Sequence, residues 1–165
     1  MTDSAVSIGL LVLDVDGVIT DGTILLLESG DEVRSVHFHD LDAVARARRA
    51  GIAVAILSGE DTPASRRIAD RFDIPEAVWG SNDKREALIA LADRLGVALT
   101  ETCYVGDADR DAPALEVAGL GLAPSGATRK ACAAADHVLS AMGGHGAVAE
   151  AVALIEGDAN PAEQT

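Results

Sequence analysis

The sequence predicts an α/β fold in which a mostly parallel sheet carries helices on both faces. Three observations predict it. The run Ile8-Gly9-Leu10-Leu11-Val12-Leu13 is apolar without alternation, as a strand buried on both faces must be. Short runs of this kind alternate with helical stretches along the chain, and serial strand-helix units close into a parallel sheet through right-handed crossovers. Hydroxyl, acidic or glycine residues then follow successive strands, where ligands bind in such sheets.

Taken in order, Ile8 to Leu13 is the central strand. Thr23 to Leu27 and Glu32 to Phe38 flank the turn-forming Ser29-Gly30-Asp31 and predict a small β-hairpin over about 23–38. From Asp40, Leu41, Val44, Ala45 and Ala47 recur at helical spacing until Gly51, and Ile52 to Leu57 reads as a second buried strand. A helix from Thr62 or Pro63 to about Phe72, a strand from Ala77 to Trp79 and an amphipathic helix from Asp83 to Leu95, ended by Gly96, come next. The pattern closes with strands at Cys103–Val105, Leu120–Ala123 and His137–Leu139, interleaved with helices at Ala112–Ala118, Thr128–Ala134 and Ala147–Ile155. Residues 1–156 read as one domain and 157–165 as a flexible polar tail.

The 165 residues suit a single domain with its own apolar core. A net charge of −14 repels nucleic-acid phosphates and anionic membranes, so neither is expected as a partner. That field would also repel a phosphorylated substrate unless a bound cation and a local lysine reversed its sign. Residues 1–9 lack the basic start and long apolar stretch of a signal peptide, and no run reaches the length of a membrane span, so a cytoplasmic location is expected. Cys103 and Cys132 form no metal-binding spacing and read as reduced core residues.

The chemistry sits at strand ends. Asp14-Val15-Asp16-Gly17-Val18 sets two carboxylates two residues apart; such neighbours repel unless a cation, most naturally magnesium, lies between them. With an incoming phosphate dianion neutralised by metal, Asp14 could attack phosphorus, while Asp16 protonates the departing alkoxide and later deprotonates water. Asp-Gly pairs also simply cap turns. Ser58-Gly59 offers a hydroxyl and backbone amides to phosphoryl oxygens, though such pairs also cap helices. Lys84 lies near a helix start, where a cation opposes the macrodipole unless an anion is close, though a solvated lysine is the plainer reading taken alone. Gly106-Asp107-Ala108-Asp109-Arg110-Asp111 adds the carboxylates to complete an oxygen-ligand magnesium site, or is a solvated acidic loop. Their joint occurrence, each behind its own strand, decides the matter.

These four segments resemble the motifs of the haloacid dehalogenase superfamily. The resemblance implies a three-layer, Rossmann-like core with Asp14 as nucleophile and Asp16 as acid/base and backbone-carbonyl magnesium ligand. It also implies Asp14 and Asp107 as metal ligands, Ser58, Gly59 and Lys84 as phosphate holders, and Asp111 as outer support for the lysine or a metal-bound water. More narrowly, Asp16-Gly17-Val18-Ile19-Thr20-Asp21-Gly22, the hairpin to Phe38, Tyr104-Val105-Gly106-Asp107 and Gly143-Gly144-His145-Gly146-Ala147-Val148 look like the capless 3-deoxy-octulosonate 8-phosphate phosphatases, a group that includes phosphatases of nine-carbon sugar acids. That implies a magnesium-dependent hydrolase of a small phosphorylated sugar or sugar acid, assembled by its hairpins into a homotetramer whose neighbouring subunits cover each active site.

The chain departs from that pattern where the substrate, rather than phosphate, is expected to be touched. Glu60 stands where those phosphatases commonly place arginine, Leu41-Asp42 replaces a glycine-rich stretch after Asp40, and His145 replaces an arginine. Asp40, Glu60 and His145 are therefore candidates for contact with substrate or a neighbouring subunit. His37 and His39, two apart beside Asp40, would share one face of a strand and could form a second metal site, although a subunit contact or a solvated edge is the simpler expectation. Trp79 is expected in the core. Two other classes remain: a signalling receiver domain with a phosphoaspartate, and an idle oligomerisation module. Receivers order their parts differently, whereas here the first strand carries nucleophile and acid together. Without a cap to exclude water, hydrolysis rather than a mutase reaction is the expected fate of the intermediate.

Overall fold

The computed structural model describes residues 7–157. Six strands, β1 (Leu10–Leu13), β4 (Ala53–Leu57), β5 (Glu76–Val78), β6 (Thr102–Val105), β7 (Leu120–Ser125) and β8 (His137–Met142), form one sheet in the order β5-β4-β1-β6-β7-β8. Every neighbouring pair in it is parallel. The helices are α1 (Phe38–Arg49), α2 (Pro63–Arg71), α3 (Lys84–Leu95), α4 (Ala112–Val117), α5 (Arg129–Ala134) and α6 (Ala147–Glu156).

The apolar run of β1 divides between the two layers, as period-two geometry requires. Leu11 and Leu13 pack with Val44 of α1, Ile68 of α2 and Val152 of α6. Leu10 and Val12 face the other way, onto Leu88 and Leu91 of α3 and Leu115 of α4. All four strand residues are fully buried, and each such side chain contributes about 1.5–3 kcal/mol relative to exposure. Trp79 packs at the edge of the first layer, beneath the Arg66 guanidinium.

Strand order reverses beside β1: the chain steps outward through β4 and β5, returns to β6 on the other flank, and steps outward again. That reversal opens a crevice between the loops after β1 and β6, the position where open parallel sheets bind ligands.

The hairpin is smaller than its sequence suggests. Only β2 (Leu25–Leu26) and β3 (Glu32–Val33) pair, antiparallel and in a sheet of their own. The chain leaves β3 without reaching Phe38 as strand, because α1 begins there; His37 caps the helix, its Nδ1 accepting from the His39 N–H at 3.3 Å. The expectation of His37 and His39 on one strand face is corrected accordingly. The rings lie edge to face with centroids 4.8 Å apart, but among the described residues the pair belongs to no three-ligand cluster. Gly157 closes α6 in a left-handed conformation; the rest of the expected tail lies outside the described residues.

Candidate active site

Immediately after β1 the backbone makes a tight turn over Val15–Ile19, in which Asp16 is extended and Gly17 has φ 86°. Gly17 is needed twice over. Its φ lies where side chains are strained, and a Cβ there would overlap the Asp107 carboxylate. Asp14 precedes the turn, 7% exposed, with Oδ1 accepting from the Val15 N–H at 2.8 Å.

Lys84, the first residue of α3, folds its side chain under the sheet ends and is 1% exposed. Its Nζ donates to the Leu57 carbonyl at 2.8 Å and lies 3.1 Å from both Asp14 Oδ1 and Asp111 Oδ1. Tyr104 Oη sits 3.3 Å from the same ammonium and donates to Asp111 Oδ1 at 2.6 Å. Asp111 Oδ2 accepts from the backbone N–H groups of Asp107 and Ala108 at 3.1 and 2.9 Å. Both oxygens of Asp111 are thus engaged, Oδ2 in holding the loop and Oδ1 by Tyr104 and Lys84. Asp107 differs: its Oδ1 is buried and has no partner. Leaving a buried carboxylate oxygen unsatisfied costs on the order of 1–3 kcal/mol, so the atom is aimed at something this chain does not supply.

Carboxylate oxygens of Asp14, Asp107 and Asp111 lie within 4.8 Å of one another, a hard-oxygen set of the kind that magnesium takes. With Asp111 committed to the loop and to Lys84, Asp14 and Asp107 are the side chains left to face a cation. Burial, aided by the Asp111 charge, raises the Asp14 carboxyl to about 7 although Lys84 opposes the shift. Burial and then Asp111 raise Asp107 to about 6, and burial outweighs Arg34 to raise Asp16. Between pH 3.8 and about 7 the folded protein therefore holds protons that the unfolded chain has released, so stability falls as pH rises through this window. The thermal midpoint of the metal-free protein is expected to drop from about pH 5 to about pH 7.5, with magnesium flattening the slope. A midpoint that climbs across this range would contradict the upward shifts assigned to these buried carboxylates.

The structure brings together Asp14, Asp16, Ser58, Gly59 and Asp107 as the lining of a cleft of about 350 Å³, with Glu60 also on its wall, Lys84 buried behind Asp14, and Asp111 behind Lys84. Ser58 Oγ accepts from the Glu60 N–H at 3.1 Å, which curls this loop toward the cleft. Asp40 and His145 are not in the lining. Asp40 is fully buried, its carboxylate accepting from the N–H groups of Gly146 at 3.3 Å and Ala149 at 2.9 Å at the start of α6. His145 is exposed, its Nδ1 3.0 Å from the Gly143 carbonyl. A larger groove of about 760 Å³ runs between the hairpin and α2, past Val36, Thr62, Arg67 and Arg71, but contains none of these acids.

Sequence reasoning missed Arg34 and undervalued Tyr104. The Arg34 side chain is 2% exposed; Nε lies 3.0 Å from Asp16 Oδ1, Nη2 3.2 Å from Glu32 Oε2, and Nη1 donates to Thr62 and Ser65 hydroxyls. It joins the hairpin, α2 and Asp16 at one point. The available signal was that Arg34 is the first basic residue in a chain with no lysine or arginine before it. Tyr104 is the one tyrosine, set in a strand buried on both faces, where its hydroxyl must find a partner.

The family model for the haloacid dehalogenase-like hydrolases matches residues 35–119. With a curated relative 36% identical over most of both chains, this chain belongs to that family. That relative, a 3-deoxy-D-manno-octulosonate 8-phosphate phosphatase of Haemophilus influenzae, is aligned over 87% of this chain and 80% of its own. The cobalt-bound structure of the Haemophilus influenzae phosphatase superposes with a TM-score of 0.86, covering 90% of this chain and 87% of the other at 36% identity. The Moraxella catarrhalis phosphatase in complex with magnesium, phosphate and its sugar acid superposes with a TM-score of 0.88 at 32% identity, covering 92% and 87%.

Proposed function

We propose that this chain is a magnesium-dependent phosphomonoester hydrolase acting on a small phosphorylated sugar acid, of the octulosonate 8-phosphate or nonulosonate 9-phosphate type. The observation that carries it is the buried, unpartnered Oδ1 of Asp107, whose carboxylate lies within 4.8 Å of that of Asp14, with Lys84 directly behind Asp14. Asp14 and Asp107 side chains and the Asp16 carbonyl would hold Mg2+, which neutralises phosphoryl charge when bound.

The chain's own residues then divide the work. Ser58, the Gly59 backbone and Lys84 hold the phosphoryl group in line with Asp14. An Asp14 oxygen forms a bond to phosphorus as the bond to the leaving alkoxide breaks, and Asp16 gives that alkoxide its proton. Asp16 then takes a proton from water as the water oxygen attacks phosphorus, releasing inorganic phosphate and restoring Asp14. Asp111 keeps Lys84 and the Asp107 loop in place. A screen of phosphorylated sugars and sugar acids, with and without chelator, tests the reading: magnesium-dependent release of phosphate from a sugar acid ester is expected, and no release from any phosphomonoester would sink it.

Exposed apolar residues of the hairpin, Leu25 at 59% and Leu26 at 75%, together with Phe38 at 71%, support a homotetramer built through this insertion, in keeping with a cytoplasmic enzyme. Leu26→Asp is expected to shift sedimentation to smaller species; an unchanged sedimentation coefficient would count against assembly through this face.

A further inference from the structure

The cleft wall carries five carboxylates, those of Asp14, Asp16, Glu32, Glu60 and Asp107, against two arginines. Arg34 is already consumed by Asp16, Glu32 and two hydroxyls, and Lys84 reaches the site only from beneath the floor, between two aspartates and a carbonyl. Arg110 is different. It is exposed, lies three residues beyond Asp107 in the turn Asp109–Asp111, and among the described residues its side chain makes neither an ion pair nor a hydrogen bond. Asp111, next to it in the same turn, has both oxygens engaged elsewhere.

The guanidinium also has a place kept for it. A Cβ on Gly59 would stand 2.6 Å from Arg110 Nη1 and 3.6 Å from its Cδ. Gly59 is outside the left-handed region, so its backbone does not demand glycine. The bare Gly59 backbone leaves open the volume over which the guanidinium lies; a side chain there would push the fork aside. An arginine fork lying over Gly59, with no carboxylate of its own, is arranged for a planar array of anionic oxygens.

We propose that Arg110 contacts the substrate's phosphoryl group from the solvent side of the cleft, its guanidinium binding the outward oxygens over Gly59 while Lys84 faces the same group from within. This rests on the phosphatase reading above. The phosphoryl group, rather than a carboxylate elsewhere on the substrate, is the partner because the fork lies against the Ser58-Gly59 loop itself.

The test uses p-nitrophenyl phosphate, which has neither sugar nor carboxylate, with inorganic phosphate as competitive inhibitor and magnesium at saturation. Arg110→Gln is expected to lower kcat/KM and to weaken phosphate inhibition, each by about tenfold or more, with Arg110→Lys recovering part of both. The inhibition constant does not depend on how much enzyme is folded, so partial unfolding cannot imitate the result. Unchanged phosphate inhibition and unchanged p-nitrophenyl phosphate turnover in Arg110→Gln would overturn the proposal, even if turnover of a sugar acid ester fell. Failure of the wild-type protein on every phosphomonoester is a separate outcome and would remove the phosphatase reading instead.

Discussion

Asp14→Asn is expected to lower magnesium-dependent turnover by about 10⁴-fold or more while leaving the fold intact, since removing a nucleophile eliminates the covalent route outright. Asparagine is nearly isosteric and can still accept from the Val15 N–H at the position where Asp14 Oδ1 does so at 2.8 Å. Lys84 keeps Asp111, the Leu57 carbonyl and the Tyr104 hydroxyl, and burial no longer opposes an ionised group at position 14. The thermal midpoint should therefore stay near that of the wild type, equivalent to within about 1 kcal/mol. Circular dichroism melts run beside the assays check it. Retained turnover would exclude Asp14 as nucleophile; lost turnover with a collapsed melt would make it a structural residue.

Lys84→Met should damage both stability and activity. The ammonium is the common counter-ion of two carboxylates at 3.1 Å each, all three groups lying within the protein. Removing one member of such a set leaves buried charge uncompensated and costs about 3–5 kcal/mol, which for a domain of this size lowers the midpoint by on the order of 10 °C. Turnover should fall about 10³-fold through loss of a preorganised cation. Magnesium is expected to restore part of the stability, by supplying positive charge beside Asp14, but not the activity. A variant that melts like the wild type would show that the lysine does not neutralise these acids.

The strands and the acids behind them were legible because a run such as Leu10–Leu13, buried on both faces, permits no polar residue and ends abruptly at Asp14. Each later loop repeated the signal, and Lys84 was readable as a cation at a helix start. The hairpin was overread. Apolar residues at 24–27 look like a strand by composition, yet only two residues pair on each side, and Leu25 and Leu26 are exposed. α1 begins two residues before Asp40, the start that the sequence pattern predicts, because His37 does the capping although histidine is not among the favoured capping residues. Arg34 was invisible for a different reason. Its partners Asp16, Thr62 and Ser65 are far apart in sequence, and no local periodicity reports a contact made by topology. Asp40 shows the same limit, since its partners lie more than a hundred residues away at the start of α6.

The loop bearing Asp107 is fastened at both peptide groups, its N–H to Asp111 and its carbonyl to the Thr128 N–H at 2.8 Å, while the carboxylate Oδ1 stays free. A ligand arm clamped by its main chain has little motion left to surrender. An arriving ion therefore meets a finished seat, and the entropy that a floppy loop would forfeit on each turnover was already lost once, when the chain folded.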